Sequence, residues 1–529
     1  MKLGSLPFQM RLPWSLVFAG GCSALLLVTT VFAIGSSAAR AQQVIGIETT
    51  AVRIPNSPLV TLRAAFRTGS VNDPFGKNGL NAVTALMMGR GGTQLMTYEE
   101  ITQALYPWSA MIDVQFDKEM TVIVGEVHRD HVETFYPIFR DLIVAPRFEP
   151  SDFSRNREFL VNAVTSTLRG TDDEELGKQA LNSLLYEGHP YGTPVQGTEN
   201  GLRSVTLNDV RGFHAAYFTA DNLMLGIAGG YSEGFAEKVE QELSTSLHRR
   251  ERVPLSLPQP RAIDGIEVLL VEKEAIATAI SIGFPIEVTR RQDDFFALMV
   301  ANSYLGEHRT FNGLLMQKMR GDRGLNYGDY SYIENFIQDG GSRFPMPNIP
   351  RSQQYFSIWI RPVPHHNAHF ALRQAIRELK FLVDDGLSQE AFEASREFLL
   401  NYSKLHVQTT SRRLGYLLDS RFYGHRDFLE EIQRRLPRLT VDEVNAAIRR
   451  HLQYDNLAIA IVTSDEEEFG GVLLGNAPSA PSYGGAVTDE ILAEDKAILS
   501  YELKIDPYDI EVVPVDTMFE SSSWTGVLN

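Results

Sequence analysis

The chain is written twice. Residues 153–162 read FSRNREFLVN and residues 392–401 read FEASREFLLN, 239 positions apart. Residues 206–227, TLNDVRGFHAAYFTADNLMLGI, are matched by residues 440–461, TVDEVNAAIRRHLQYDNLAIAI, at a spacing of 234. Two matched segments in the same order, with spacings that differ by only five residues, mark a tandem duplication. Such a chain must fold as two copies of one supersecondary plan, joined by a linker.

The local chemistry of each copy is legible. Thr206 with Asp209, and Thr440 with Glu443, have the spacing of a capping box, in which a hydroxyl and a carboxylate satisfy the orphan donors of a helix start. Each helix is followed by Asp-Asn as a turn and by an apolar, β-type run, LMLGIAG in one copy and LAIAIVT in the other. Alternating, β-branched segments predict further strands over 60–69, 118–127, 266–273, 278–285 and 354–362. Amphipathic periodicity predicts helices over 97–105, 235–243 and 369–385. Pro254, Pro258 and Pro260 exclude regular structure from the stretch between the copies. The expected organisation is a leader over 1–41, a first α/β (α+β) domain over 42–252, a linker over 253–263, a second such domain over 264–469 and a tail over 470–529. The tail opens with the linker-like GNAPSAPSYGG and offers one helix, 489–503, and a short strand, 510–515.

The leader points to export. Lys2 and Arg11 precede and flank an apolar run from Leu12 to Gly35, and Ala39 and Ala41 supply the small residues of a cleavage site after Ala41. The expected location is periplasmic or secreted. The run is also long enough to span a bilayer if it stays uncleaved, which would make it a membrane anchor. Cys22 after Ala-Gly-Gly is a poor lipid acceptor site, because the apolar run continues beyond it. Losing residues 1–41 removes three basic residues and no acidic one, which moves the net charge from −17 to −20. A surface of that sign disfavours nucleic acid and anionic lipid. Cys22 is the single cysteine, so the mature chain has no disulfide, no thiol nucleophile and no thiolate for zinc.

Four strings, in order, carry a family resemblance over roughly residues 45–465: GSVNDPFGKNGL running through a helix to GGT (69–93), HPYGTPVQGT (189–198), YFTADNLMLGIAGG (217–230) and RGDRGLNY (320–327). They resemble the insulinase/pitrilysin zinc peptidases. The resemblance implies two homologous domains in tandem, each a mainly antiparallel sheet with helices packed on it. Active members carry the inverted zinc motif H-x-x-E-H on the helix after the Gly-Leu, two histidines holding the metal and a Glu taking a proton from its water. Here those five positions read Ala82-Val83-Thr84-Ala85-Leu86, and no histidine lies between residues 43 and 127. The family's third ligand, a Glu, falls by its spacing at Asn162. The resemblance therefore implies a catalytically dead member that binds no zinc or other cofactor itself.

The same resemblance gives Arg320 and Tyr327 a role. In the family an Arg and a Tyr seven residues apart, in the non-catalytic half, reach the zinc site of the catalytic half and bind the substrate carbonyl and developing oxyanion. A fixed cation with a phenol donor is sound oxyanion chemistry. The alternative is that Arg320 caps a helix C-terminus while Tyr327 packs. The implied function is a non-catalytic subunit that completes a peptide chamber, with zinc held by a partner subunit carrying H-x-x-E-H and unfolded peptides as substrate. A scaffold or peptide-binding protein of the same fold is the alternative.

Other strings carry less chemistry. GYSEG (230–234) has the form of a nucleophile elbow around Ser232, but its duplicate reads TSDEEEF, so a strand–helix connector is the expected role rather than a serine hydrolase. HHNAH puts His365 and His369 four apart with no acidic third ligand, and a solvated helix start is expected. HRDHVE (128–133) is read as a strand-to-helix junction and His189 as part of a turn. The glycine pairs at 91–92 and 340–341 lack the lysine and helix of a phosphate loop.

Overall fold

The β-branched runs form strands that assemble two sheets of the same plan. The computed structural model describes residues 47–520, apart from 308–311, 339, 341–343 and 465, and the proposed leader lies outside them. The first half contributes β1 (Glu48–Arg53), β2 (Leu59–Phe66), β3 (Met111–Phe116), β4 (Thr121–His128) and β5 (Leu223–Gly229). The second contributes β6 (Ile266–Glu272), β7 (Thr278–Ile286), β8 (Asp329–Tyr332), β9 (Gln354–Val363) and β10 (Leu457–Thr463). The first sheet has the order β1-β5-β2-β4-β3, and the second repeats it as β6-β10-β7-β9-β8. The pairing repeats too: β1 runs parallel to β5 and β6 to β10, and every other pair within these ten strands is antiparallel. The duplication is thus visible in topology as well as in sequence.

Helices of the first half are α1 (Leu80–Arg90), α2 (Tyr98–Leu105), α3 (Val132–Val144), α4 (Pro150–Asn162), α5 (Asp173–Leu185), α6 (Glu199–Ser204), α7 (Leu207–Tyr217) and α8 (Phe235–Ser246). Those of the second are α9 (Asp294–Leu305), α10 (His365–Asp385), α11 (Gln389–Tyr402), α12 (Thr410–Tyr423), α13 (Phe428–Arg435), α14 (Val441–His451) and α15 (Glu466–Gly475). Both capping boxes form: Thr206 N donates to Asp209 (2.8 Å) and Thr440 N to Glu443 (2.8 Å), each answered by the return bond to the threonine hydroxyl. In each half the helix that follows the second strand packs on two partners in the same way, α1 on α4 and α7, and α9 on α11 and α14.

The halves share their cores by exchanging one helix each. α5 of the first half lies on β7 and β10 of the second, and its duplicate α12 lies on β2 and β5 of the first. Leu176, Ala180 and Leu181 enter a cluster with Ala279, Ala458 and Val462, while Leu418 joins Ala65, Val122 and Met224. Gly226 permits the second contact, since a Cβ there would come within 3.1 Å of Leu414 and Leu418. A buried ion pair adds to the seam: Arg351 donates to both oxygens of Asp117 (2.8 and 2.9 Å). All described residues accordingly fall in one compact unit.

Three expectations need correction. The strand expected from residue 118 starts at Thr121, because Asp117 N donates to Met120 O (2.8 Å) and closes a turn whose charged residues are buried at the seam. The helix expected from 369 starts at His365, so His369 is buried at 3 % exposure instead of solvated. The tail helix ends early, as α16 (Asp489–Leu499), and the tail then returns as β11 (Ile510–Pro514), a sixth strand parallel to β6. The tail thus packs on its own half through α16 and β11, and its last described residues cross to the first half, where the Glu520 carboxylate accepts from Glu199 N (2.9 Å) and Asn200 N (3.0 Å).

Candidate functional site

Helix α1 occupies the place of the zinc motif. Its start is fixed by Asp73, whose carboxylate accepts from Gly79 N and Asn81 N, both at 2.7 Å. Burial pushes that carboxyl up to about 7 against these two hydrogen bonds and the nearby Lys118. Gly79 is held at φ +104, and a Cβ there would sit 2.5 Å from Leu202 and 2.8 Å from Gln196 O. Two of the family strings, 69–93 and 189–198, thus dock on each other, and their glycines permit the approach. From Leu80 to Gly89 every residue of α1 is buried, with Ala82 and Ala85 at 0 % and Leu86 at 3 %. The duplicate helix α9 is similarly buried along its length. α1 has taken on the apolar character of its counterpart in the other half.

Asn162 closes α4, is exposed, and leads without a break into a π-type stretch, Ala163–Thr171. The buried α4 amide facing α1 is Asn156, whose Nδ2 lies 3.5 Å from Met87 Sδ. Two alanines, a leucine and an amide supply none of the imidazole or carboxylate donors that Zn²⁺ requires, so the residues present do not fit the metal. Among the described residues no group of three or more His, Cys, Asp or Glu is placed to hold a metal ion.

Arg320 and Tyr327 come together on one surface loop. Arg320 lies near the end of a π-type stretch, Met316–Gly321, and Tyr327 sits two residues before β8. Arg320 Nη1 donates to Tyr327 O (3.2 Å), and the guanidinium lies 5.7 Å from the Tyr327 ring centroid. Arg320 is exposed and Tyr327 is 76 % exposed. The turn between them is pinned by Gly324 N to Arg320 O (3.0 Å) and Leu325 N to Met319 O (3.0 Å). Beneath it Asn326 Nδ2 donates to Asp329 (2.8 Å), a fully buried carboxyl that desolvation pushes up to about 8.

Sequence reasoning missed the residue that anchors this loop. Arg323, with a fully buried side chain, donates to Asp495 (Nε, 2.8 Å) and to Glu494 (Nη2, 2.8 Å) of tail helix α16. Lys318 also reaches Glu494 (2.9 Å). Burial alone would raise the Glu494 carboxyl, yet its bonds to Arg323 and Lys318 bring it down to about 2. The arginine in RGDRGLNY and the acidic pair in AEDKA are 171 and 172 residues apart, and no local pattern joins them.

The remaining strings have structural partners. Ser232 is an exposed residue of the turn between β5 and α8. His365 Nδ1 lies 2.7 Å from Thr278 Oγ1, and burial lowers His369 to about 4. His131 stacks on Trp108. His189 accepts from Tyr191 N at Nδ1 (2.9 Å), which leaves Nε2 to donate to Pro258 O (3.0 Å) and tie the linker down; burial lowers its pKa to about 4.

Comparison with known proteins agrees with this architecture. The model of insulinase, peptidase family M16, matches residues 49–199, and that of the peptidase M16 inactive domain matches residues 204–399. The chain belongs to the M16, or insulinase, peptidase family. An uncharacterized zinc protease, YmxG, of Bacillus subtilis is 22% identical over 412 residues, covering 77% of this chain and 94% of that protein. A non-peptidase homolog, YmxG, of Helicobacter pylori is 20% identical over 420 residues, 78% of this chain and 90% of that protein. A solved peptidase M16 inactive domain from Pseudomonas fluorescens shares the fold with a TM-score of 0.70 at 22% identity, over 79% of this chain and 95% of that one. The resemblance would put the zinc ligands and base at Ala82, Ala85, Leu86 and Asn162, none of which can do that chemistry, and one of the two matching family models is that of an inactive domain. The two matches meet near residue 200, ahead of β5, although β5 is an inner strand of the first sheet.

Proposed function

We propose that this chain is the non-catalytic subunit of an exported M16 peptidase. A partner subunit carrying H-x-x-E-H would hold the zinc, and the two would enclose an unfolded peptide. This chain would supply the opposing wall, with Arg320 and Tyr327 directed at the carbonyl oxygen of the scissile bond as it gains charge. The observation that carries this reading is the contrast between two sites in one chain: the zinc-position helix is sealed into the core, while the Arg320–Tyr327 pair is held together in the open by a buried anchor. A leader that directs export and a partner subunit belong to the same proposal.

The test is the assembled peptidase with Arg320→Ala or Tyr327→Phe. Loss of an oxyanion donor lowers kcat by about tenfold or more with KM little changed. An unchanged kcat in both variants favours the second reading, a scaffold of the same fold with no part in the chemistry, the character that the non-peptidase homolog's name gives to that relative. The purified chain alone should show no zinc-dependent cleavage of a peptide. Turnover lost on chelation would overturn the proposal outright.

A further inference from the structure

A second concave site lies away from the Arg320 loop, where the two halves meet under the linker. It is a cleft of about 570 Å³, within the range of ligand sites, and four guanidinium groups line it: Arg67 just after β2, Arg250 and Arg252 on the segment that leads into the linker, and Arg291 ahead of α9. Two carboxylates line it as well. Glu119 is engaged by Ser352 N and Oγ (2.7 Å each), and Glu251 lies between Arg250 and Arg252. Arg67 is paired with Glu48 (2.6 Å), and Arg291 donates to the main-chain oxygen of Phe422 (2.9 Å). Among the described residues Arg250, Arg252 and Arg291 make no ion pair. The Arg67 guanidinium is shifted below its ordinary value, chiefly by burial and further by the positive charges of Arg252 and Arg291.

A chain of net charge −17 that gathers positive charge in a concave site focuses an attractive potential for anions there. Linker residues Val253 and Leu255 expose apolar surface at the same cleft, and Phe422 adds an aromatic wall. Apolar walls beside forked donors suit carboxylates carried on a chain better than a bare ion. We propose that this cleft binds an acidic peptide segment, its carboxylates engaging Arg252 and Arg291. The inference does not rest on the role of Arg320 or Tyr327.

The test is fluorescence anisotropy with the full chain and a dye-labelled octapeptide of alternating Glu and Val, beside the same peptide with Gln for Glu. The expected result is saturable binding of the Glu peptide, at least about tenfold tighter than the Gln peptide and weaker as salt rises from about 50 to about 300 mM. The double variant Arg252→Glu, Arg291→Glu changes only exposed side chains and should weaken binding by about tenfold or more. Equal affinity for the two peptides, undiminished binding by the double variant, or displacement of the Glu peptide by inorganic phosphate at equal concentration would each overturn the proposal.

Discussion

Replacing Asp495 with Asn tests whether the tail holds the Arg320–Tyr327 loop. Asp495 Oδ1 receives Nε and Nη2 of Arg323 at 2.8 and 2.7 Å, and both side chains are removed from solvent. The substitution keeps the shape and removes the charge, so a buried guanidinium loses its principal counter-ion. Breaking such a pair costs about 3–5 kcal/mol. Glu494 still reaches Nη2, which puts the expected cost near the lower end, about 3 kcal/mol. That loss falls on docking of the tail rather than on either sheet, because Arg323 and Asp495 join the tail to the 318–325 turn. A penalty of this size is about a hundredfold in an equilibrium constant. Hydrogen exchange should show protection falling by that factor in residues 489–499 and at Leu325, while the amides of β2 and β5 stay as they were. Wild-type protection in residues 489–499 would refute the anchor. A uniform loss across both sheets would show that the pair stabilises the whole fold instead.

Recreating the zinc motif with Ala82→His, Ala85→Glu and Leu86→His should not recreate the site. All three positions are buried, and overpacking costs about 1–3 kcal/mol each before the carboxyl is desolvated. Thermal denaturation should show a large loss of stability and calorimetry no stoichiometric zinc; one tightly bound zinc per chain would contradict the sealed helix. Asp329 gives a pH signature. Its folded pKa, about 8, lies above the unfolded value of 3.8, so between those limits the native state keeps a proton that the unfolded chain releases. Its contribution is intact at acidic pH and is lost as pH rises toward 8. Asp329→Asn should therefore raise Tm more at pH 8 than at pH 5, and an equal shift at both would refute the buried acid.

What the sequence revealed follows the range of the interactions involved. Thr206–Asp209 and Thr440–Glu443 act over three residues, and their caps were readable in full. Most strands were readable because alternation is local, although the edge strands β1 and β3 were not expected, and the loss of H-x-x-E-H was readable because a motif is a string. The exchange of α5 and α12 was not readable, since nothing in an amphipathic helix says which sheet its apolar face will meet. Lys118 and Glu119 are charged residues within an expected strand, yet Thr193 O accepts from one within the first half and Ser352 donates to the other across the seam. Arg323 gave no sign of burial for the same reason.

The exchanged helices also govern how this molecule can move. A chain severed in the linker would leave each sheet without the helix that covers it, so neither half is expected to persist as a soluble domain. By the same token the two sheets cannot swing apart about the linker without exposing Leu176, Leu181 and Leu418 to water. The described part of the chain is therefore expected to move as one rigid body. If it takes part in a chamber that opens and closes, the hinge lies between chains.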